Sequence, residues 1–164
     1  MSPLVVLGID ITRNSTQLVV TSPPDIVYLS VFGIFTVIPL IRALVKSIRS
    51  GHVFTNQVQG WLIFTLLVYG FVFHIGQLTL DRNSGIATLR RFSFYYWSTK
   101  KFPVSALSTA YVQTFDSQEK IQLLFTDGHH ESLDYKNQVG GKTDAAYIIN
   151  QFLQEYGRGS KTTH

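Results

Sequence analysis

The sequence predicts an α+β membrane protein, in which a two-helix transmembrane hairpin carries an antiparallel β-sheet or roll closed by a C-terminal amphipathic helix. Three observations predict it. Two long apolar runs lie in the first half of the chain, and the charges concentrate outside them. After Gly76 the hydrophobic pattern turns to short alternating segments, and after Thr143 to helical spacing. The domains follow as an N-terminal β-hairpin at 1–25, spans at 26–46 and 57–77 joined by a short connector at 47–56, a β domain at 78–157 whose helix covers 143–156, and a flexible tail at 158–164.

The first run, Ile26 to Ile41, has no charged residue, and extending it through Val45 admits only Arg42. That supplies the roughly 20 residues a bilayer core requires. Arg42 lies at the end, where its stem can follow lipid while the guanidinium reaches headgroups. The second run, Val53 to Leu80, contains no Asp, Glu, Lys or Arg. Tyr28 and Trp61 suit interfacial anchors, Pro39 is expected to kink the first helix, and Gly33, Gly60 and Gly70 offer flat spots for another helix. Phe71 and Phe73 are placed to pack on lipid tails or pigment. Two spans return the chain to its starting side, so residues 1–25 and 81–164 share a face. The positive-inside count is nearly even. The weight of the folded domain puts both termini on the cytoplasmic or stromal side.

The whole chain of 164 residues has no cysteine, which excludes disulfides, thiolate metal sites and a cysteine nucleophile. With 45% hydrophobic and only 15% charged residues and a mean hydropathy of +0.14, disorder is excluded as well. The net charge of +4 is not a nucleic-acid signal, because residues 81–164 carry ten basic against eight acidic side chains and no binding motif.

Beyond the spans, Gln77–Arg82 and Ile86–Phe94 read as a hairpin turned at Asn83-Ser84-Gly85. Strands follow at Lys101–Val104, Leu107–Phe115, Ile121–Phe125 and Glu131–Tyr135, with Asp127-Gly128 a strong turn. Thr143 suits an N-cap with Asp144 in the first turn, and Ala145, Ile148, Ile149, Phe152 and Leu153 form an apolar stripe. Leu4–Ile11 and Thr16–Thr21 are two further strands, able to join the same sheet and cover its edge. The triplet Arg-Asn-Ser occurs at 13–15 and again at 82–84, too short a match to make a repeat.

Two spans, then Leu80-Asp81-Arg82-Asn83-Ser84-Gly85-Ile86, then Arg90-Arg91 and an aromatic stretch: this order resembles membrane proteins with two helices followed by a pleckstrin-homology-like domain. It is most similar to the two-helix photosystem I assembly factors and related small thylakoid assembly proteins. The resemblance implies a pleckstrin-homology-like roll and a non-enzymatic accessory or assembly role in photosystem biogenesis. It further implies a thylakoid or bacterial inner membrane, and a larger integral-membrane complex, a photosystem or its assembly intermediate, as partner. It leaves room for bound chlorophyll or carotenoid, though no cofactor motif is present.

The most informative polar stretch runs from Arg90 to Lys101, with Arg90, Arg91, Lys100 and Lys101 around Tyr95, Tyr96 and Trp97. Each cation near an anionic leaflet contributes about 1 kcal/mol. Three readings stand: anionic-lipid binding, docking on an acidic protein surface, and a hairpin with Phe92 and Phe94 in the core and solvated charges outside. His74 near the end of the second span is a candidate pigment ligand or an interfacial histidine. His129-His130-Glu131 places only His129 and Glu131 on one strand face, with no third metal ligand. Gly140-Gly141-Lys142-Thr143 is similar to a phosphate loop but has Lys136 where that motif needs glycine, leaving at most a weak anion site at the helix start. No nucleophile–base–acid set can be assembled, so no catalytic residue and no enzyme is expected.

Overall fold

The computed structural model describes residues 4–6, 8–51, 56–116, 118–134 and 140–160. The chain is α+β, with two antiparallel sheets and, among the described residues, three α-helices. It divides into two compact units: Met1–Pro23 with His74–Phe92 and Tyr96–His164, and Pro24–Phe73 with Ser93–Tyr95.

The second unit holds α1 (Ile26–Arg49) packed on α2 (Asn56–Val72). In α1 the less exposed positions include Leu29, Gly33, Thr36, Leu40, Ala43 and Ser47, spaced alternately by four and three residues. That spacing is the seam of two helices packed side by side, and four of its positions, Gly33, Thr36, Ala43 and Ser47, are small. Thr36 and Thr65 satisfy their hydroxyls on Phe32 O and Trp61 O, each at 2.7 Å, so neither needs water. The outward surface is the reverse of a soluble helix pair, with Ile34, Phe35, Ile41 and Ile48 of α1 and Ile63, Phe64 and Leu66 of α2 all exposed. α1 runs on through Pro39 to Arg49. Gly33 and Gly70 are not open to another helix, since a Cβ on either would lie 2.8 Å from the rings or hydroxyls of Tyr69 and Tyr95 respectively; Gly60 is open. The expected roles of the Tyr28 side chain as an interfacial anchor and of the Phe71 side chain against lipid tails or pigment lie outside the described residues.

The expected second span at 57–77 is shorter than the apolar run. The last amide of the helix is Phe73, bonded to Tyr69 O at 2.9 Å, and β4 (His74–Asp81) begins immediately afterwards. Gly76 onward pairs with β3 (Gln17–Ser22), from Ser22↔Gly76 to Gln17↔Asp81, and that pairing takes these residues out of the helix. Among the described residues one helix, over Leu29–Arg49, is long and apolar enough to cross a membrane. α2 has 17 residues, about 26 Å of helix, at the short limit for a bilayer core.

In the first unit, β1 (Leu4–Val6), β2 (Ile9–Arg13), β3, β4, β5 (Ile86–Ser93) and β6 (Tyr96–Pro103) form one sheet in chain order. The N-terminal segment therefore does join the sheet. The single strand expected over Leu4–Ile11 is two, reversed beside Gly8, whose φ of 115° favours glycine. After the short helical turn Val104–Ala106, β7 (Leu107–Phe115), β8 (Gln118–Phe125) and β9 (His130–Ser132) make the second sheet. Alternation fixes the core: Leu18 faces Leu80 and Val20 faces Leu78 across β3 and β4, with Ala87, Leu89, Ile121, Leu123 and Leu133 behind them.

Helix α3 (Lys142–Ser160) closes this core with Ala145, Ala146, Ile149 and Phe152. It starts one residue before the expected cap, so Thr143 is inside the helix. Asn150 substitutes for a missing strand neighbour. Its Oδ1 accepts from Ala110 N at 2.7 Å and its Nδ2 donates to Ala110 O at 2.8 Å, beside the register shift in β7. The two Arg-Asn-Ser turns end β2 and β4, the strands on either side of β3, and both arginines, Arg13 and Arg82, converge on Glu155 of α3. Arg82 also lies over the Phe152 ring at 4.7 Å, and Asp81 accepts from Asn83 N and the Ser84 hydroxyl to shape the turn. The segment that carries the family resemblance thus builds the fold in this chain. The expected tail at 158–164 is helical as far as Ser160, and residues 161–164 lie outside the described residues.

Candidate functional site

The sequence between Arg90 and Lys101 contains no glycine or asparagine, yet it reverses at Phe94-Tyr95 to form the β5–β6 hairpin. This replaces the expected strand Lys101–Val104 with an eight-residue strand, β6, at the edge of the sheet. The reversal has a consequence for charge. Strand alternation sorts the four cations into two pairs on opposite faces rather than one patch.

On the core-side face, Arg91 and Lys100 both bond the carboxylate of Glu131 on β9, closing the end of the sheet there. The Arg91 and Glu131 side chains keep only 16% and 15% exposure, while Lys100 keeps 49%. Burial works to raise the Glu131 pKa, but hydrogen bonds from Lys100 and Arg91 and their charges outweigh it and hold the carboxyl below its ordinary value. A depressed carboxyl pKa stabilises the fold above the ordinary value near 4.5, and that contribution is lost as pH falls through the folded value. Acid unfolding of Glu131→Gln, followed by circular dichroism, is therefore expected to be less steep below about pH 4.5 than that of the unsubstituted protein.

On the outer face, Arg90 stands exposed on β5 with no anionic partner among the described residues, and alternation puts Lys101 on the same side of β6. Ile75 and Gln77 of β4, Phe92 of β5 and Trp97 of β6 surround a shallow cleft of about 200 Å³ beside Arg90 and Arg91. Phe92 and Trp97 meet edge to face at 6.0 Å, and Trp97 is 77% exposed. Phe92 is thus an outer-face residue, not the core residue one reading expected. Gln77 is steadied by donating to Thr21 Oγ1 at 3.3 Å. Ile75 escaped the sequence reading because it lies in the apolar run assigned to the span, and Gln77 was read only as the start of a strand. Their alternation with buried Gly76, Leu78 and Leu80 was the available signal.

Of the other candidates, Tyr96 opens β6, half exposed, and Tyr95 belongs with the helices, its ring lying over Gly70. His74, expected near the end of the second span, is the first residue of β4 and not a helix residue. His129, His130 and Glu131 part company: His129 bonds Asp127 at 2.8 Å and stacks on Phe125, and His130 bonds the Tyr111 hydroxyl at 3.1 Å. Among the described residues no group of three or more metal-ligating side chains comes together. Lys142 of the Gly-Gly-Lys-Thr segment is fully buried, its Nζ on Glu119 O and 3.3 Å from Asp134, so it is not offered to an anion. No protein-family model and no curated protein matches the chain.

Proposed function

We propose that the chain is a non-enzymatic integral-membrane accessory protein, anchored by α1 and α2 as two spans, with the β domain held at one membrane face. The observation that carries this is the inverted surface of the helix pair. Ile34, Phe35, Ile41 and Ile48 of α1 and Ile63, Phe64 and Leu66 of α2 point outward, while Thr36, Ala43 and Ser47 lie inward. In water such a surface is strongly unfavourable. In lipid it is the expected arrangement, since hydrocarbon solvates large apolar side chains and small residues let helices approach. α2 reaches the shorter end of spanning lengths, and the half-buried Trp61 near its start suits an interfacial anchor.

The partner is a larger membrane protein complex, with photosystem biogenesis the setting to which the resemblance at Leu80–Ile86 points. The exposed aromatic edge strand β6 and the outward helix faces are the surfaces that support a docking role. Affinity purification of the tagged full chain in mild detergent, with mass spectrometry, is expected to bring down a membrane complex. Recovery of the tagged chain alone as a free monomer contradicts the accessory role.

A further inference from the structure

We propose that the outer-face cleft between Ile75, Gln77, Arg90, Phe92 and Trp97 binds the phosphate headgroup of an anionic phospholipid, Arg90 supplying the charge. The proposal rests on the membrane anchoring above, and names a ligand for the domain that anchoring alone does not supply.

Charge and shape agree. Arg90 has no anion among the described residues, whereas its neighbour Arg91 is held by Glu131, so the mobile positive charge at the cleft belongs to Arg90. Its planar fork suits two phosphate oxygens. Gln77 brings an amide beside it for a glycerol or ester oxygen, and Ile75, Phe92 and Trp97 offer apolar and aromatic surface to the first carbons of the lipid. A soluble anion needs no such apolar wall; an amphiphile does. Lys101, on the same face, adds attraction to an anionic surface.

The residues of the cleft follow closely along the chain from the apolar helices. Ile75 is three residues along the chain from Val72, the last residue of α2. At the other side, Phe92 is three residues from Tyr95, whose ring lies against Gly70 near that same helix end. β4 and β5, two of the three strands that border the cleft, thus lie within a few residues along the chain of segments that belong to the helix unit. Aromatic side chains such as Trp97 and the Tyr95–Tyr96 pair favour membrane interfaces.

The test uses the full chain in a non-ionic detergent. A Trp61→Phe background leaves Trp97 as the only tryptophan. Dioleoyl phosphatidylglycerol is expected to shift Trp97 emission and to remain bound in native mass spectra, at least tenfold more tightly than dioleoyl phosphatidylcholine. Arg90→Gln is expected to abolish that preference and Arg90→Lys to restore part of it, with unchanged circular dichroism; Arg42→Gln is expected to keep it. Equal binding of the two lipids, or an unaltered preference in folded Arg90→Gln, overturns the proposal. A Trp97 response to inorganic phosphate matching that to the lipid also overturns it, by assigning the cleft to a free anion. Carbonate extraction separates the two failures. A protein that stays in the membrane pellet but shows no lipid preference loses this inference and keeps its anchor, and one that washes off loses both.

Discussion

Gly76→Ala is expected to lower the stability of the β domain by about 3 kcal/mol or more, at or beyond the upper end of overpacking penalties. A Cβ built on Gly76 would lie 2.1 Å from Leu133 O, 3.0 Å from Leu133 C and 3.3 Å from Asp134 Cα. These are backbone atoms, so no side chain can swing aside. Both partners are fixed: Gly76 pairs with Ser22 on β3, and Leu133 N donates to Ile121 O at 2.8 Å with its side chain wholly buried. Thermal unfolding followed by circular dichroism gives the comparison, with Gly60→Ala as control. Nothing lies within 4 Å of a Cβ at Gly60, and alanine there gains helix propensity, so it is expected to melt at or slightly above the unsubstituted protein. Equal melting of Gly76→Ala would mean that β4 and the segment after β9 are not in contact as described.

Lys142→Met is expected to cost about 3–5 kcal/mol, the usual penalty for leaving a buried charge without its partner. Asp134 is buried, accepts from Ile121 N at 2.9 Å and from the Ser22 hydroxyl at 3.3 Å, and faces Lys142 Nζ at 3.3 Å. The three contacts tie β3, β8 and the start of α3 to one carboxylate. Burial pushes the Asp134 pKa up, and the Lys142 charge and the Ile121 amide oppose it. Without Lys142 the opposing charge is gone and the pKa rises further. A carboxyl whose folded pKa is raised destabilises the fold at high pH, and the loss is relieved as pH falls through the folded value toward 3.8. The stability gap between Lys142→Met and the unsubstituted protein is therefore expected to narrow on acidification. Denaturant unfolding at neutral pH and near pH 4.5 reads it directly. A gap that is small at neutral pH, or that widens in acid, contradicts the buried pair.

Much of the β domain was legible because alternation and turn chemistry agree. Asn83-Ser84-Gly85 and Asp127-Gly128 turn where glycine with positive φ permits it, at 65° and 87° respectively. The helical stripe of α3 needed only its 3.6-residue period. What escaped depends on pairing between distant segments. The end of α2 is hidden in the sequence, because Phe73 to Leu80 continues the apolar run with no Asp, Glu, Lys or Arg. Strand β3, far earlier in the chain, claims Gly76 onward for the sheet. The β5–β6 hairpin turns at two aromatic residues, without a glycine or asparagine to announce it. Consequently the division of Arg90 and Lys101 from Arg91 and Lys100 could not be read, since it depends on strand parity and on Glu131 arriving from β9. Lys142 likewise looks exposed beside two glycines, and the Asp134 carboxylate and the Glu119 carbonyl account for its burial.

The helix pair crossing a bilayer twice is the claim on which the functional reading stands, and the absence of native cysteine makes it directly testable. Single cysteines introduced as Ser50→Cys, just after α1, and as Ser108→Cys, exposed on β7, report the two sides. Sealed membrane vesicles of one orientation are treated with a membrane-impermeant maleimide before and after lysis. The account predicts that only one of the two sites labels before lysis and both label after it. Labelling of both sites in intact vesicles would put the connector and the β domain on the same side, and two crossings would be ruled out.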